Sequence, residues 1–261
     1  MLNDEAIERA AALLAQARQG GYQIAALPEE CVPENVDEAY AIQDRLAAKL
    51  DKPVGGWFLG CTNDEALERL QARGPYSARL FEEDIFQSPV KFPQDKFFTS
   101  WIDCEFGFRL SRDVSPREVP YTLDELRDSI ESVHATIEIV NGFLEFWQQQ
   151  PIGSIMADNG TDGALIVAEG VTDWQTLDLE ALEVRLTVNG ELVQTGFGRD
   201  VLGSPLNTFT WLANEQSRRG LGLSAGSINN TGSCTVPHEV FPGDVGCADF
   251  GPLGVVEVEF G

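Results

Sequence analysis

The residues of this 261-residue chain best placed to do chemistry are carboxylates that stand among apolar neighbours. The segment WIDCEFGFRL, residues 101–110, has the aromatic and branched composition of a β-strand. Strand side chains alternate, so Asp103 and Glu105 project from one face and Cys104 from the other. Phe97, Phe98, Trp101, Ile102, Phe106 and Phe108 flank the pair. In such a setting two adjacent carboxylates repel, and one takes up a proton unless a cation lies between them. Glu138, in the apolar run ATIEIV, is a third carboxylate on a strand that otherwise reads as core. Three oxygen ligands with no cysteine or histidine favour Mg²⁺ or Mn²⁺ over zinc, and they leave coordination positions for water and a chelating substrate. The alternative is a one-sided sheet whose acids are solvated.

Other motifs carry less. Asp158-Asn-Gly-Thr-Asp-Gly163 with Glu169 matches four positions of a calcium loop, but such a loop needs a helix on each side. PIGSIM before it and ALIVAEG after it read as turn and strand, so no calcium site is expected. His134 and His238 lie far from any serine or cysteine in a nucleophile elbow. His134 is expected near the end of a helix, meeting its dipole. The five cysteines (Cys31, Cys61, Cys104, Cys234 and Cys247) contain no Cys-x-x-Cys pair and make neither a disulfide framework nor a zinc site.

These groups need a frame. Asn3 can cap a helix through about Gln19 that stops at Gly20-Gly21, and Asn35 can cap a second, with Tyr40, Ile42, Leu46 and Leu50 as its stripe. Residues 1–52 thus form an N-terminal helical cap. From Pro53 the texture changes to VGGWFLG, WIDCEFGFRL, ATIEIV, GALIVAEG, LEVRLTV, ELVQTGFG and GVVEVEFG, which read as strands. Asn189-Gly190 predicts a tight hairpin between two of them. Three helices interrupt: TNDEALERLQARG with Thr62 as cap, YTLDELRDSIESVH opening at Thr122 with Glu125 three residues on, and PLNTFTWLANEQSRRG with Pro205 in its first turn. Strands and helices mix without βα alternation and no linker divides the chain. The expected fold is α+β, a mixed, mostly antiparallel β-roll or barrel over residues 53–261 joined to the cap as one structural unit.

The charge balance excludes some partners. Against 42 acidic residues stand 18 basic ones, a formal charge of −24. Such a surface repels nucleic acid and anionic membrane alike. The start, MLNDEAIERAAALLAQARQGG, is acidic where a signal peptide is basic, and no run approaches 18 apolar residues, so a reducing, cytoplasmic location is expected.

WIDCEFGF, ATIEIV, MADNGTDG, NGELVQTGFGRDVLGSPLNTFTWLAN, LSAGSINNTGSCT and FPGDVGCADFGPLGVVEVEF occur in the order and spacing of one family. Over residues 36 to 261 the chain resembles the 2-keto-4-pentenoate hydratase and 4-oxalocrotonate decarboxylase branch of the fumarylacetoacetate hydrolase superfamily. The resemblance implies the α+β roll of that superfamily's C-terminal domain. It implies Asp103, Glu105 and Glu138 as Mg²⁺ or Mn²⁺ ligands, and a keto or enol acid chelated through its carboxylate and 2-oxygen, with an enolate stabilised by the metal. It also implies a homo-oligomer, and for some members pairing with a related decarboxylase or hydratase subunit.

The departures from the family pattern define the open part of the site. Where the family reads Gly-aromatic-Lys-aliphatic-Gly, this chain has Gly56-Trp57-Phe58-Leu59-Gly60, so Phe58 replaces a lysine. Asn141-Gly142-Phe143 stands where an Asp-Ser-Arg is common, and an acid usual near Ala78 is missing, with Arg79 beside it. The expectation is a more apolar pocket that includes Phe58 and Phe143, with Asp162 or Thr161 as the substitute proton-transfer group and Arg79 as a cation for a substrate carboxylate. The plainer reading of Asp162 is a turn residue. Retention of all three metal carboxylates predicts a lyase of the hydratase type, or a decarboxylase. Loss of the lysine favours a relative that keeps the fold as a ligand-binding or assembly subunit.

Overall fold

Asparagine side chains start the first helices. Asn3 accepts a hydrogen bond from the Ala6 amide and opens α1 (Asp4–Gly20), which ends where Gly21 turns left-handed at φ 64°. Asn35 does the same for α2 (Val36–Leu50). The computed structural model describes residues 1–261. The later helices are α3 (Asp64–Arg69), α4 (Leu123–Arg127), α5 (Ile152–Ala157) and α6 (Pro205–Arg218). The strands are β1 (Val54–Gly60), β2 (Tyr76–Phe81), β3 (Ile85–Gln87), β4 (Val90–Phe92), β5 (Trp101–Leu110), β6 (Ile130–Val140), β7 (Asp162–Val167), β8 (Glu183–Val188), β9 (Glu191–Phe197), β10 (Ile228–Asn230), β11 (His238–Glu239), β12 (Val245–Asp249) and β13 (Val255–Phe260).

The larger sheet runs β2-β1-β10-β5-β6-β7-β3, with β11 on β5, and the smaller runs β4-β13-β12-β8-β9. Most neighbours are antiparallel; β1 with β10, β3 with β7 and β4 with β13 are parallel. The predicted hairpin is present, with Asn189 and Gly190 both at positive φ between β8 and β9. Alternation makes the larger sheet two-sided. One face, with Trp57, Leu59, Ile102, Cys104, Phe106, Ile137 and Ile139, joins the smaller sheet in the main core. The other face curls on itself into a half-barrel, where Phe58, Ala78, Leu80, Leu165, Val167 and Ile228 form a separate cluster. α1 and α2 pack on α5 through Leu14, Ile42, Leu46 and Ala157, which sets the helical cap against one end of the curl.

Three local expectations are corrected. PIGSIM, read as a turn, forms helix α5 with Pro151 as its cap. The cap of α3 is Asn63, not Thr62, because the Asn63 side chain accepts from the Ala66 amide. Thr122 and Glu125 do form a capping box, but α4 stops at Arg127 and β6 begins at Ile130. His134 therefore sits in mid-strand, paired across β5 with Gly107, and meets no helix end. The run Ile130 to Val140 is rich in β-branched residues and pairs on both edges, with β5 and with β7, and this overrides the helical reading.

Candidate metal centre

Register brings the three carboxylates together. Asp103 of β5 lies opposite Glu138 of β6, and Glu105 is one alternation further along β5. All three point into the curl, are 5% exposed or less, and offer oxygens within 4.8 Å of one another. The chain after β10 supplies their hydrogen bonds. Asn230 and the Gly232 amide (2.9 Å) donate to Glu105, and the Ser233 hydroxyl donates to Asp103. The same segment is tied to β5 by Thr231, which accepts from the Phe106 amide, and Thr235, which accepts from that of Cys104.

The arrangement is electrostatically incomplete. Burial pushes Asp103 up to about 7. Burial, and then repulsion by neighbouring carboxylates, drives Glu105 and Glu138 well above the usual carboxylate range. Asp103 Oδ1 is buried with no hydrogen-bond partner. An orphaned oxygen in an all-oxygen donor set fits a hard divalent cation, which would restore the charged forms and engage the free lone pairs. The triad can therefore hold a metal ion. It opens on a cavity of about 60 Å³ lined also by Phe58, Tyr76, Arg69, Trp147, Thr161 and Ser233.

A model of the fumarylacetoacetate hydrolase C-terminal domain matches residues 86–260, which span the triad, the smaller sheet and the larger sheet except β1 and β2. The chain belongs to the fumarylacetoacetate hydrolase family. Among its relatives, a 2-keto-4-pentenoate hydratase of Paraburkholderia xenovorans is 32% identical over 256 residues, 97% of this chain and 94% of the relative. The structure of 4-oxalocrotonate decarboxylase from Pseudomonas putida G7, complexed with magnesium and adipate, superposes over all of this chain and 99% of that one at TM-score 0.91 and 23% identity. A fumarylpyruvate hydrolase of Pseudomonas aeruginosa, in complex with Mn²⁺ and pyruvate, shares the fold at TM-score 0.62 and 12% identity, over 80% of this chain and 90% of that one.

Within this fumarylacetoacetate hydrolase fold the expected pocket residues divide by strand parity. Phe58 faces the curl and lines the cavity, as does Thr161, whose hydroxyl donates to the Gly160 carbonyl. Asp162, next to Thr161, points the opposite way. Its carboxylate pairs with Arg18 of α1 at 2.7 Å and does not reach the cavity. Arg79 is likewise out of phase with Ala78. It binds Asp44 at 2.6 Å and Gln43 at 3.2 Å, its guanidinium lies 5.0 Å from the Trp57 ring, and the cavity does not include it. Phe143 follows the turn after β6 and packs edge-to-face on Phe98 outside the cavity.

Arg18 of α1 joins these groups: its guanidinium lies 4.5 Å over the Phe143 ring and binds both Asp158 (3.0 Å) and Asp162. Burial opposes its charge, but Asp162 and Asp158 outweigh burial and hold Arg18 above its usual range. Burial still pushes Asp158 up to about 6. Helix α1 thus places a buried cation beside Phe143 and the 158–162 loop. Sequence reasoning missed Arg69 and Tyr76, the sole cation and the sole phenol on the cavity wall. Period two counted from Ala78 would have led to Tyr76 rather than Arg79.

Proposed function

We propose that the protein is a divalent-metal-dependent lyase acting on a 2-keto or 2-hydroxy-dienoate acid through its enolate, in the first instance a hydratase. The observation that carries the reading is the buried carboxylate triad, one of its oxygens without a partner, on a cavity wall, in a chain related over nearly its whole length to a 2-keto-4-pentenoate hydratase. Asp103, Glu105 and Glu138 would hold Mg²⁺ or Mn²⁺. Bound there, the cation supplies Lewis-acid stabilisation of the enolate. Asn230, Gly232 and Ser233 fix the carboxylates in place, and Phe58, Val140 and Trp147 keep bulk water from the reacting carbons. Thr161 contacts the substrate, while Asp162 and Arg79 act at a distance, the first by fixing the 158–162 loop on Arg18 and the second by tying β2 to α2.

The cavity measures about 60 Å³, and α3, which buries only Ala66, forms part of its wall. Five free cysteines fit a reducing cytoplasm, and no helix is long and apolar enough to cross a membrane.

A second reading, decarboxylation of a dicarboxylic oxalocrotonate-like acid, draws on Arg69. It is the one cation on the wall and is held at 3.1 Å from Glu65, a suitable partner for a carboxylate far from the metal. The test follows loss of the ultraviolet chromophore when the protein, with Mg²⁺, Mn²⁺ or EDTA, receives 2-hydroxypenta-2,4-dienoate or 4-oxalocrotonate. Metal-dependent consumption of the first is expected. Preference for the second points to decarboxylation, and binding of metal without consumption of either means a more apolar substrate or the ligand-binding relative.

A further inference from the structure

We propose that Tyr76 gives and takes the proton at the substrate carbon next to the carbonyl, the task for which this chain no longer has a lysine at position 58. The inference rests on the lyase reading above and names the acid it needs. Tyr76 opens β2 directly opposite Gly60 of β1, and its ring enters the curl beside Phe58. The neighbouring tyrosine in the packing, Tyr40, spends its hydroxyl on the Ser77 amide at 3.0 Å. The Tyr76 hydroxyl has no hydrogen-bond partner within the protein and borders the cavity that the triad faces.

Two glycines make room for this ring. A Cβ at Gly60 would collide with the Tyr76 hydroxyl, and one at Gly160 would lie 2.9 Å from the Tyr76 ring and 2.7 Å from that of Phe58. Gly160 also holds φ at 69°, which side chains avoid. The other hydroxyls on the wall are engaged or set back: Ser233 on Asp103, Thr161 on the Gly160 carbonyl, and Thr62 without a partner but enclosed by protein. A phenol is protonated at neutral pH and so starts as the acid.

The step balances. In the 2-oxo-3-enoate form of the substrate, whose fifth carbon has taken up the proton given up by the 2-hydroxyl, water oxygen bonds to the fourth carbon, and the enolate electron pair then forms a C–H bond at the third carbon as the phenol O–H breaks. The proton that the attacking water sheds returns to the phenolate, so one water is added and Tyr76 is restored.

The experiment follows exchange of the C3 protons of 2-oxopentanoate in D₂O by NMR, in the wild type and Tyr76→Phe, with Mg²⁺ present. Mn²⁺ affinity of both proteins is measured separately by calorimetry. The expected result is metal-dependent exchange in the wild type, at least about 100-fold slower in Tyr76→Phe, with unchanged Mn²⁺ affinity and unchanged KM for the oxo acid. Equal exchange in the two proteins overturns the assignment of Tyr76 alone. No exchange in a wild type that binds Mn²⁺ and the oxo acid overturns the lyase reading and the assignment with it.

Discussion

Two positions on β6, four residues apart, bury ionisable side chains in opposite ways. His134 engages both ring nitrogens, with the Ser132 hydroxyl at 2.8 Å and the Ala168 carbonyl at 2.9 Å. Glu138 faces two more carboxylates, one of which has an oxygen with no partner at all. Both groups are 5% exposed, so burial does not tell them apart. Saturation does. A polar side chain whose bonds are all made within the protein is part of the frame, whereas a set left short of partners is built for something that the chain itself does not contain.

The contrast can be broken by variants on each side of it. Glu105→Gln gives the largest effect expected: metal-dependent turnover disappears, and Mn²⁺ affinity, read by calorimetry, falls by more than the roughly 100-fold typical of losing an outer-shell partner. In metal-free protein the same change raises the unfolding midpoint at neutral pH, because burial and its neighbours force the Glu105 carboxyl to take up a proton on folding, a cost that an amide does not carry. An unaltered Mn²⁺ affinity would show that the triad is not the metal site. Arg18→Ala, which strands Asp158 and Asp162 in the interior, should cost about 3–5 kcal/mol in urea unfolding. A loss below about 1 kcal/mol would mean that the two acids find other partners.

His134→Gln gives the smallest effect and one confined to low pH. Burial lowers the His134 pKa, so the folded protein keeps the ring neutral at a pH where the unfolded chain, near 6.5, already binds a proton. Stability from this group is complete above about pH 6.5 and declines as pH falls toward the depressed folded value. The slope cannot exceed about 1.4 kcal/mol per pH unit for one proton. Thermal melts of the two proteins from pH 8 to pH 5 should therefore converge on the acid side. Parallel curves would place a charged imidazole in the folded state.

The same distinction explains what could be read without coordinates. Alternation alone put Asp103 and Glu105 on one face, and an acid in an apolar strand marked Glu138, because each signal is local to a few residues. The wall opposite the triad was less legible. Its residues come from β1, β2, α3 and the 158–162 loop, and which of two adjacent residues faces inward depends on where each strand begins. Arg79 and Asp162 have the right chemistry, but each is one residue out of phase with the face that lines the cavity. Arg18 could not have been found by motif at all, since it meets Asp158 across 140 positions of chain. The misplaced helix end at His134 has a simpler origin. The capping box at Thr122 and Glu125 is real, but it is a signal for where a helix starts and says nothing of where it stops.

The guanidinium of Arg18 lying over the Phe143 ring and on Asp158 makes positions 18, 143 and 158 a single unit of exchange. A chimera that took its first helix from a relative with an arginine at the position of Phe143 and none at that of Arg18 would leave Asp158 with no guanidinium. The reciprocal chimera would crowd two into one place. A crossover between these positions therefore yields parts that are each well formed and do not suit one another.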